Sequence, residues 1–301
     1  MLKFCKELLL GLISLFLINL IIFYLIINPE LYRPYEKVIE NIESRNFIFS
    51  DSHGWSLTNN HHSGEMKLKK NNIKNLSYGS DSYKDIYIKL SYLIQQDVTI
   101  DTIYLSTDPH MLGKKREVNN NKNRSIAYAD FENYREFYNT SYPEFVLRKY
   151  VRKYISTFDI NNAKLIQSYF NSFFSSINVS ENEQIKWINL LSIEKKDRSK
   201  SKFIDFYSRG SSKKLENELH KILNLALEYN IVVIGLEFPI AKQMKNLKIP
   251  ASIILPKNIF LSKKLLVLDL TDIDNDKYFR NQDHVNALGA DLIIDQILKH
   301  F

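Results

Sequence analysis

Asn46-Phe47-Ile48-Phe49-Ser50-Asp51-Ser52-His53-Gly54 is the stretch on which the reading of this chain turns. A short apolar run that stops at polar, turn-forming residues has the form of a strand covered on both faces, where every side chain meets a core. The pattern recurs. Ile73 to Leu76 stops at Ser77-Tyr78-Gly79-Ser80, and Val98 to Ser106 stops at Thr107-Asp108-Pro109-His110. Ile231 to Leu236 stops at Glu237-Phe238-Pro239, and Leu265 to Leu270 makes a fifth run. Between them Ser82 to Gln96 has helical spacing, with Tyr83, Ile86, Leu90 and Leu93 on one face, and Ala287 to Leu298 reads as the last helix. Strands alternating with helices predict an α/β domain, a parallel sheet flanked by helices in three layers. In such sheets sites form beyond the carboxyl ends of the strands, which is where the unusual polar residues stand.

Upstream of this domain, Leu8 to Ile27 is an uncharged stretch, long enough to cross the hydrocarbon core of a bilayer as a helix. The run exceeds the apolar core of a cleaved signal, and no small-residue cleavage site precedes Asn28-Pro29. Residues 1–28 therefore read as a transmembrane anchor contacting the membrane through 8–27, and residues 29–45 as a juxtamembrane linker. Lys3 and Lys6 precede the span, so a cytoplasmic N-terminus is expected, with the C-terminal domain periplasmic or extracellular. Residues 46–301 form the expected α/β domain. Residues 114–215 break its rhythm and read as a helical insertion, with helices near 131–157, 161–176 and 181–193.

The 301 residues are 45% hydrophobic and 13% aromatic, which excludes a disordered chain. The single cysteine, Cys5, excludes a disulfide framework and a cysteine zinc site. None of the eight glycines falls in a G-x-G or a P-loop pattern, so dinucleotide binding and P-loop chemistry are excluded, and no cofactor is expected. The net charge of +7 gathers at Lys67–Lys70, Lys114–Arg116 and Lys195–Lys202. It suits an anionic bilayer or anionic envelope polymers. No nucleic-acid recognition motif accompanies it, so no nucleic acid is expected. His53, His61 and His62 lack carboxylate or cysteine partners at ligand spacing, and a polar loop is the plainer reading. Asp101, Asp269, Asp272, Asp274 and Asp276 do not complete a calcium loop and read as solvated turn residues. No metal site is expected.

Chemistry points to two separated segments. Ser52 follows the first strand and opens a turn into a helix, whose N-terminus favours developing negative charge. His284, in Asn281-Gln282-Asp283-His284, stands just before the last helix, where it could serve a distant serine as general base. Together with Gly79 and Asp108 at the ends of intervening strands, these residues resemble the four sequence blocks of the SGNH/GDSL hydrolase superfamily, in order over most of residues 46–300. Ser50-Asp51-Ser52-His53 stands where that family has Gly-Asp-Ser. The resemblance implies a flavodoxin-like three-layer fold, Ser52 as nucleophile and His284 as base. It implies an oxyanion hole from the Ser52 and Gly79 amides, with Asp108 where the family has asparagine and His110 as a substitute donor. Asn281 occupies the family's orienting-carboxylate position and Asp283 is the nearby carboxylate. The tethered arrangement is similar to envelope O-acyltransferases. The expected function is acyl-ester transfer to an envelope polysaccharide, with an anionic polysaccharide or acyl-carrier partner. A deacylating esterase and a non-catalytic polysaccharide-binding or assembly protein are the alternatives.

Overall fold

A computed structural model describes residues 2–22, 24–25, 43–59, 61–118, 120–152 and 187–300. The chain divides into two compact units, Met1–Asn41 with Lys122–Asn182, and Ile42–Asn121 with Glu183–Phe301. The middle of the expected insertion thus falls in the first unit, and both its flanks belong to the second. The linker up to residue 42 and the helix expected at 161–176 lie outside the described residues, as do residues 23, 26 and 27 of the expected span.

In the first unit, helix α1 (Leu2–Ile22) carries a segment, Phe4–Ile22, long and apolar enough to cross a membrane. Phe4, Leu8, Leu12, Leu15 and Phe16 along it are exposed rather than packed against protein. The single helix expected from residue 131 is broken. Phe131–Tyr138 ends at Asn139, which takes a left-handed conformation at φ 48°, and a new helix, Tyr142–Val146, starts on the Ser141 cap with Pro143 in its first turn. A proline there fits a helix start and not a helix interior.

The second unit is built on five parallel strands: β1 (Asn46–Phe49), β2 (Ile73–Asn75), β3 (Thr102–Ser106), β4 (Val232–Glu237) and β5 (Val267–Asp269). Their order, β2-β1-β3-β4-β5, is the flavodoxin-like one. The short helix α2 (Ser52–Trp55) and α3 (His62–Lys70) follow β1, and α4 (Tyr83–Gln95) follows β2. Helix α5 (Ser192–Tyr207) and α6 (Lys213–Glu228) precede β4, α7 (Pro256–Ser262) precedes β5, and α8 (Ala287–Lys299) closes the chain. In place of the helix expected at 181–193, the described residues hold a turn at Trp187–Asn189 and then α5, whose first turn is closed by Glu194 accepting from the Leu191 amide at 2.9 Å.

Alternation along the strands feeds two cores. Ile48, Tyr104, Ile234, Leu236 and Leu268 pack with Leu68 of α3 and Ile293, Ile294 and Ile297 of α8. Phe47, Phe49, Ile103 and Leu105 occupy the alternate strand positions and are fully buried. Helices α4 and α6 pack on each other, burying Ile86, Leu90, Leu215, Leu219 and Ile222. Each such side chain contributes about 1.5–3 kcal/mol.

β3 and β5 start later than the apolar runs suggest, and the reason is local. Val98 N–H closes the end of α4 on Leu93 O at 3.1 Å, and Leu265 N–H closes α7 on Phe260 O at 3.0 Å. Those amides are spent on helix ends and are lost to the sheet. Ile231 N–H does the same for α6 on Ala226 O at 2.8 Å. The residue before each, Asp97, Lys264 and Asn230, sits at φ between 55° and 59°, the left-handed residue that this type of helix end requires.

Candidate functional site

The chain leaves β1 through Ser50 and Asp51. Asp51 caps α2 by accepting from the His53 amide at 3.0 Å, so Ser52 becomes the first residue of the helix, half-buried at the carboxyl edge of the sheet. The turn is tight. A Cβ on Gly54 would lie 2.5 Å from both the Ser50 Cβ and the Ser77 Oγ, so glycine is required there by crowding and not by backbone angle. Gly79 differs. An added Cβ would meet only the Trp55 ring, at 3.5 Å, and the turn Gly79 sits in, closed by Asp81 N–H on Tyr78 O at 3.0 Å, places its left-handed φ of 71° on Ser80. Gly79 follows β2, half-buried, with its carbonyl accepting from Asn121 at 2.9 Å.

His284 is carried by the loop ahead of α8, which is pinned by a bridge between Phe279 and Val285 and by Arg280 N–H to His284 O at 2.9 Å. Asn281 organises that loop. Its Oδ1 accepts the His284 amide at 2.8 Å, the Asp283 amide at 3.1 Å and the His284 Nδ1 proton at 3.1 Å. Asp283 Oδ1 lies 3.2 Å from the same Nδ1. With Nδ1 bonded to Asn281 and Asp283 Oδ1 near it without a hydrogen bond, Nε2 is the nitrogen left to exchange a proton. The His284 ring meets the His53 ring edge-on, 5.3 Å between centroids. The first and last motifs therefore converge at one edge, although no hydrogen bond joins Ser52 Oγ to His284.

Beneath them lies a buried charge network that the sequence reading did not assemble. His53 Nδ1 donates to Asp108 Oδ2 at 2.8 Å, and His110 Nε2 donates to Asp51 Oδ2 at 2.8 Å. Arg116 also bonds Asp51, and Lys202 of α5 lies 3.2 Å from Asp283 Oδ2. His53 Nε2 stands 3.8 Å from that same oxygen, beyond hydrogen-bond range, and is buried without a hydrogen-bond partner. Phe206 of α5 stacks on His110 at 4.5 Å. The other oxygen of Asp108 accepts the Phe238 amide at 2.7 Å. Both Asp108 oxygens are therefore acceptors in use, and the His110 Nε2 proton is given to Asp51.

Burial pushes the Asp51 carboxyl up, but Arg116, His110 and His53 outweigh it and hold Asp51 well below the usual carboxylate range. Burial pushes His53 down, yet Asp51 and Asp108 overcome it and raise His53 to about 10. Burial lowers His110, and the neighbouring His53 and Arg116 charges add to that against Asp51. Asp283 is driven far below its ordinary value by His284 and His53 despite its burial. His53 is thus a cation at neutral pH. With Arg116 and Lys202 it balances the three carboxylates Asp51, Asp108 and Asp283.

Asp51, His53, Asp108 and His110 bring nitrogen and oxygen atoms within 4.8 Å of one another, close enough for a small metal ion, and His53, Asp283 and His284 do the same. In the structure these donors are engaged with one another, Asp51 with Arg116 and His110, and His53 with Asp108. His53 and His61 are no part of a polar loop: both are buried, His61 pairing with Asp291 at 3.2 Å, whereas His62 is exposed. Asp276, taken as a solvated turn residue, accepts from Trp187 Nε1 at 3.0 Å and Lys195 at 2.7 Å. An apolar recess of about 540 Å³ lined by Leu227, Val232, Lys263 and Leu266 lies at the amino ends of β4 and β5, away from these residues.

No protein family matches the chain, and no curated protein matches it. Among solved structures the chain is similar to a protein from Bacteroides fragilis named as a candidate acylhydrolase, at 9% identity and a TM-score of 0.41, over 89% of this chain and 94% of that one.

Proposed function

We propose that the second unit is an SGNH-like serine enzyme that breaks or transfers acyl esters. The observation that carries this reading is the hydrogen bond between His284 Nδ1 and Asn281 Oδ1 at 3.1 Å, with the Asp283 carboxylate 3.2 Å from the same nitrogen, at the sheet edge where Ser52 opens α2. A histidine so held has the tautomer a general base needs. Ser52 Oγ attacks the acyl carbonyl as its proton passes to His284 Nε2. The amides of Ser52 and Gly79 receive the oxyanion. The proton then goes to the leaving alkoxide as its bond to the acyl carbon breaks. An acceptor hydroxyl or water, deprotonated by the same nitrogen, releases the acyl group and restores Ser52. Asp108 and His110 serve in this scheme through the buried ion pairs and not as oxyanion donors.

With Leu8–Ile27 as a tether and a cytoplasmic N-terminus, the acceptor we favour is an anionic envelope polysaccharide, supplied outside the cytoplasm by an acyl-carrier partner. A deacylating esterase uses the same chemistry with water as acceptor. The lack of a hydrogen bond between Ser52 and His284 favours a second reading, a non-catalytic polysaccharide-binding protein. Labelling of the full chain in detergent by a fluorophosphonate separates the two. Labelling lost in Ser52→Ala and in His284→Ala supports the enzyme, and equal labelling in wild type and Ser52→Ala overturns it.

A further inference from the structure

The proposed chemistry uses Ser52 and His284 and leaves unexplained why a charged histidine is buried directly beneath them. His53 is 3% exposed, bonded through Nδ1 to Asp108, with Nε2 aimed at Asp283 and its ring edge-on to His284. Asp283 divides its oxygens. Oδ1 faces His284 Nδ1, while Oδ2 faces Lys202 at 3.2 Å and His53 at 3.8 Å. A carboxylate with 2% exposure has little water to steady it, so its direction is set by the cations around it. We propose that His53 is a positioning residue: a buried ring, fixed by Asp108 with its unbonded Nε2 towards Asp283, that keeps the Asp283 carboxylate beside His284.

This proposal rests on the serine-enzyme reading of the site and adds to it a role for Asp108. The groups that face the assembly come from five places, one of them the Phe238 amide after β4, which bonds Asp108. Asp51 and His53 come from the β1–α2 turn, and Asp108, His110 and Arg116 follow β3. Lys202 comes from α5, and Asn281, Asp283 and His284 come from the last loop. Asp51 bonds Arg116 and His110 and acts on His53 through its charge alone, whereas Asp108 bonds the His53 Nδ1 and Asp283 faces its Nε2. The energetic reason is general. A buried carboxylate facing two donors at fixed positions keeps one orientation, and removing one donor lets it rotate toward the other.

The test uses the full chain in detergent micelles with ¹⁵N,¹³C-labelled histidines. The His53 resonances are assigned by their loss in His53→Gln. At pH 8.5 the His53 ring should carry protons on both nitrogens, and Asp283→Asn should move the His53 and His284 signals together. Turnover of a small acyl ester supplies a double-mutant cycle. His53→Gln and Asp283→Asn should each lower kcat about 10-fold or more with KM nearly unchanged, and the double variant should be no slower than either. Lys202→Met, at a partly exposed position, should lower kcat less and likewise show no further loss when Asp283 is already replaced. A neutral His53 ring at pH 8.5, or effects of His53→Gln and Asp283→Asn that multiply, would overturn the proposal. If the wild type has no Ser52-dependent turnover, the serine-enzyme reading fails, and a His284 signal indifferent to His53→Gln would then overturn the positioning role as well.

Discussion

Asn281 is the residue on which the loop's chemistry turns. Its Oδ1 accepts three protons, and a carboxylate in its place would accept the same three with charge behind each bond. In the serine-triad template an amide in the acid's position lowers turnover by roughly 10⁴. Asn281→Asp is expected to raise ester turnover by on the order of 10-fold or more, measured against wild type on one small ester. Asp108→Ala should cost about 3–5 kcal/mol in denaturant unfolding, because it strips a buried cation of its bonded partner. The sign of the pH dependence follows from His53. Its folded value is raised from 6.5 to about 10, so its contribution is complete below about pH 6 and fades as pH climbs to 10. Thermal melts between pH 7 and 10 should show falling stability, and His53→Gln should flatten that slope. Little of this was legible beforehand. Ser52, Asn281 and His284 could be found by their local strings. The pairs 51–116, 53–108 and 202–283 have no periodicity or spacing to betray them, since each joins segments that meet only after folding.

At the scale of elements, the strands were readable because both faces of the sheet are covered, which turns each strand into an uninterrupted apolar run. Their starts were misjudged where apolar residues serve helix ends. Leu265 and Val98 look like strand and act as caps, and hydrophobicity carries no mark of where an amide is spent. The same motifs make a prediction. Asp97 and Asn230 are tolerable in the left-handed conformation, whereas Lys264 at φ 59° pays a steric cost. Lys264→Gly should stabilise the second unit by about 1 kcal/mol, seen as a rise in the unfolding midpoint. Gly54→Ala should do the reverse, by roughly 1–3 kcal/mol, since its new methyl would press into Ser50 and Ser77. The α5 helix was missed for a plainer reason. Its sequence, SIEKKDRSKSKFIDFY, is dominated by charge, and it is fastened by Phe206 and by Lys195 and Lys202, the two ends of a cluster that reads as a solvated basic surface.

For the whole molecule, the α/β class could be anticipated from alternation and the flavodoxin-like order only from the four-block resemblance, while the division into units could not be anticipated. The units cut across the expected insertion, because which flank joins the sheet is decided by long-range packing. The proposed topology is testable at this scale: a reporter fused after Phe301 should be active outside the cytoplasm and silent inside it. The buried charge network also has a consequence in time. Synthesis proceeds from the N-terminus, and Asp283 leaves the ribosome about 230 residues after Asp51, roughly 12–46 s later at ordinary elongation rates. Through that interval the first strands and their carboxylates exist without the loop that completes them. A nascent chain of this protein is therefore a prolonged client for whatever shields unfinished chains, and a premature stop ahead of His284 should yield a target for proteolysis rather than a smaller working domain.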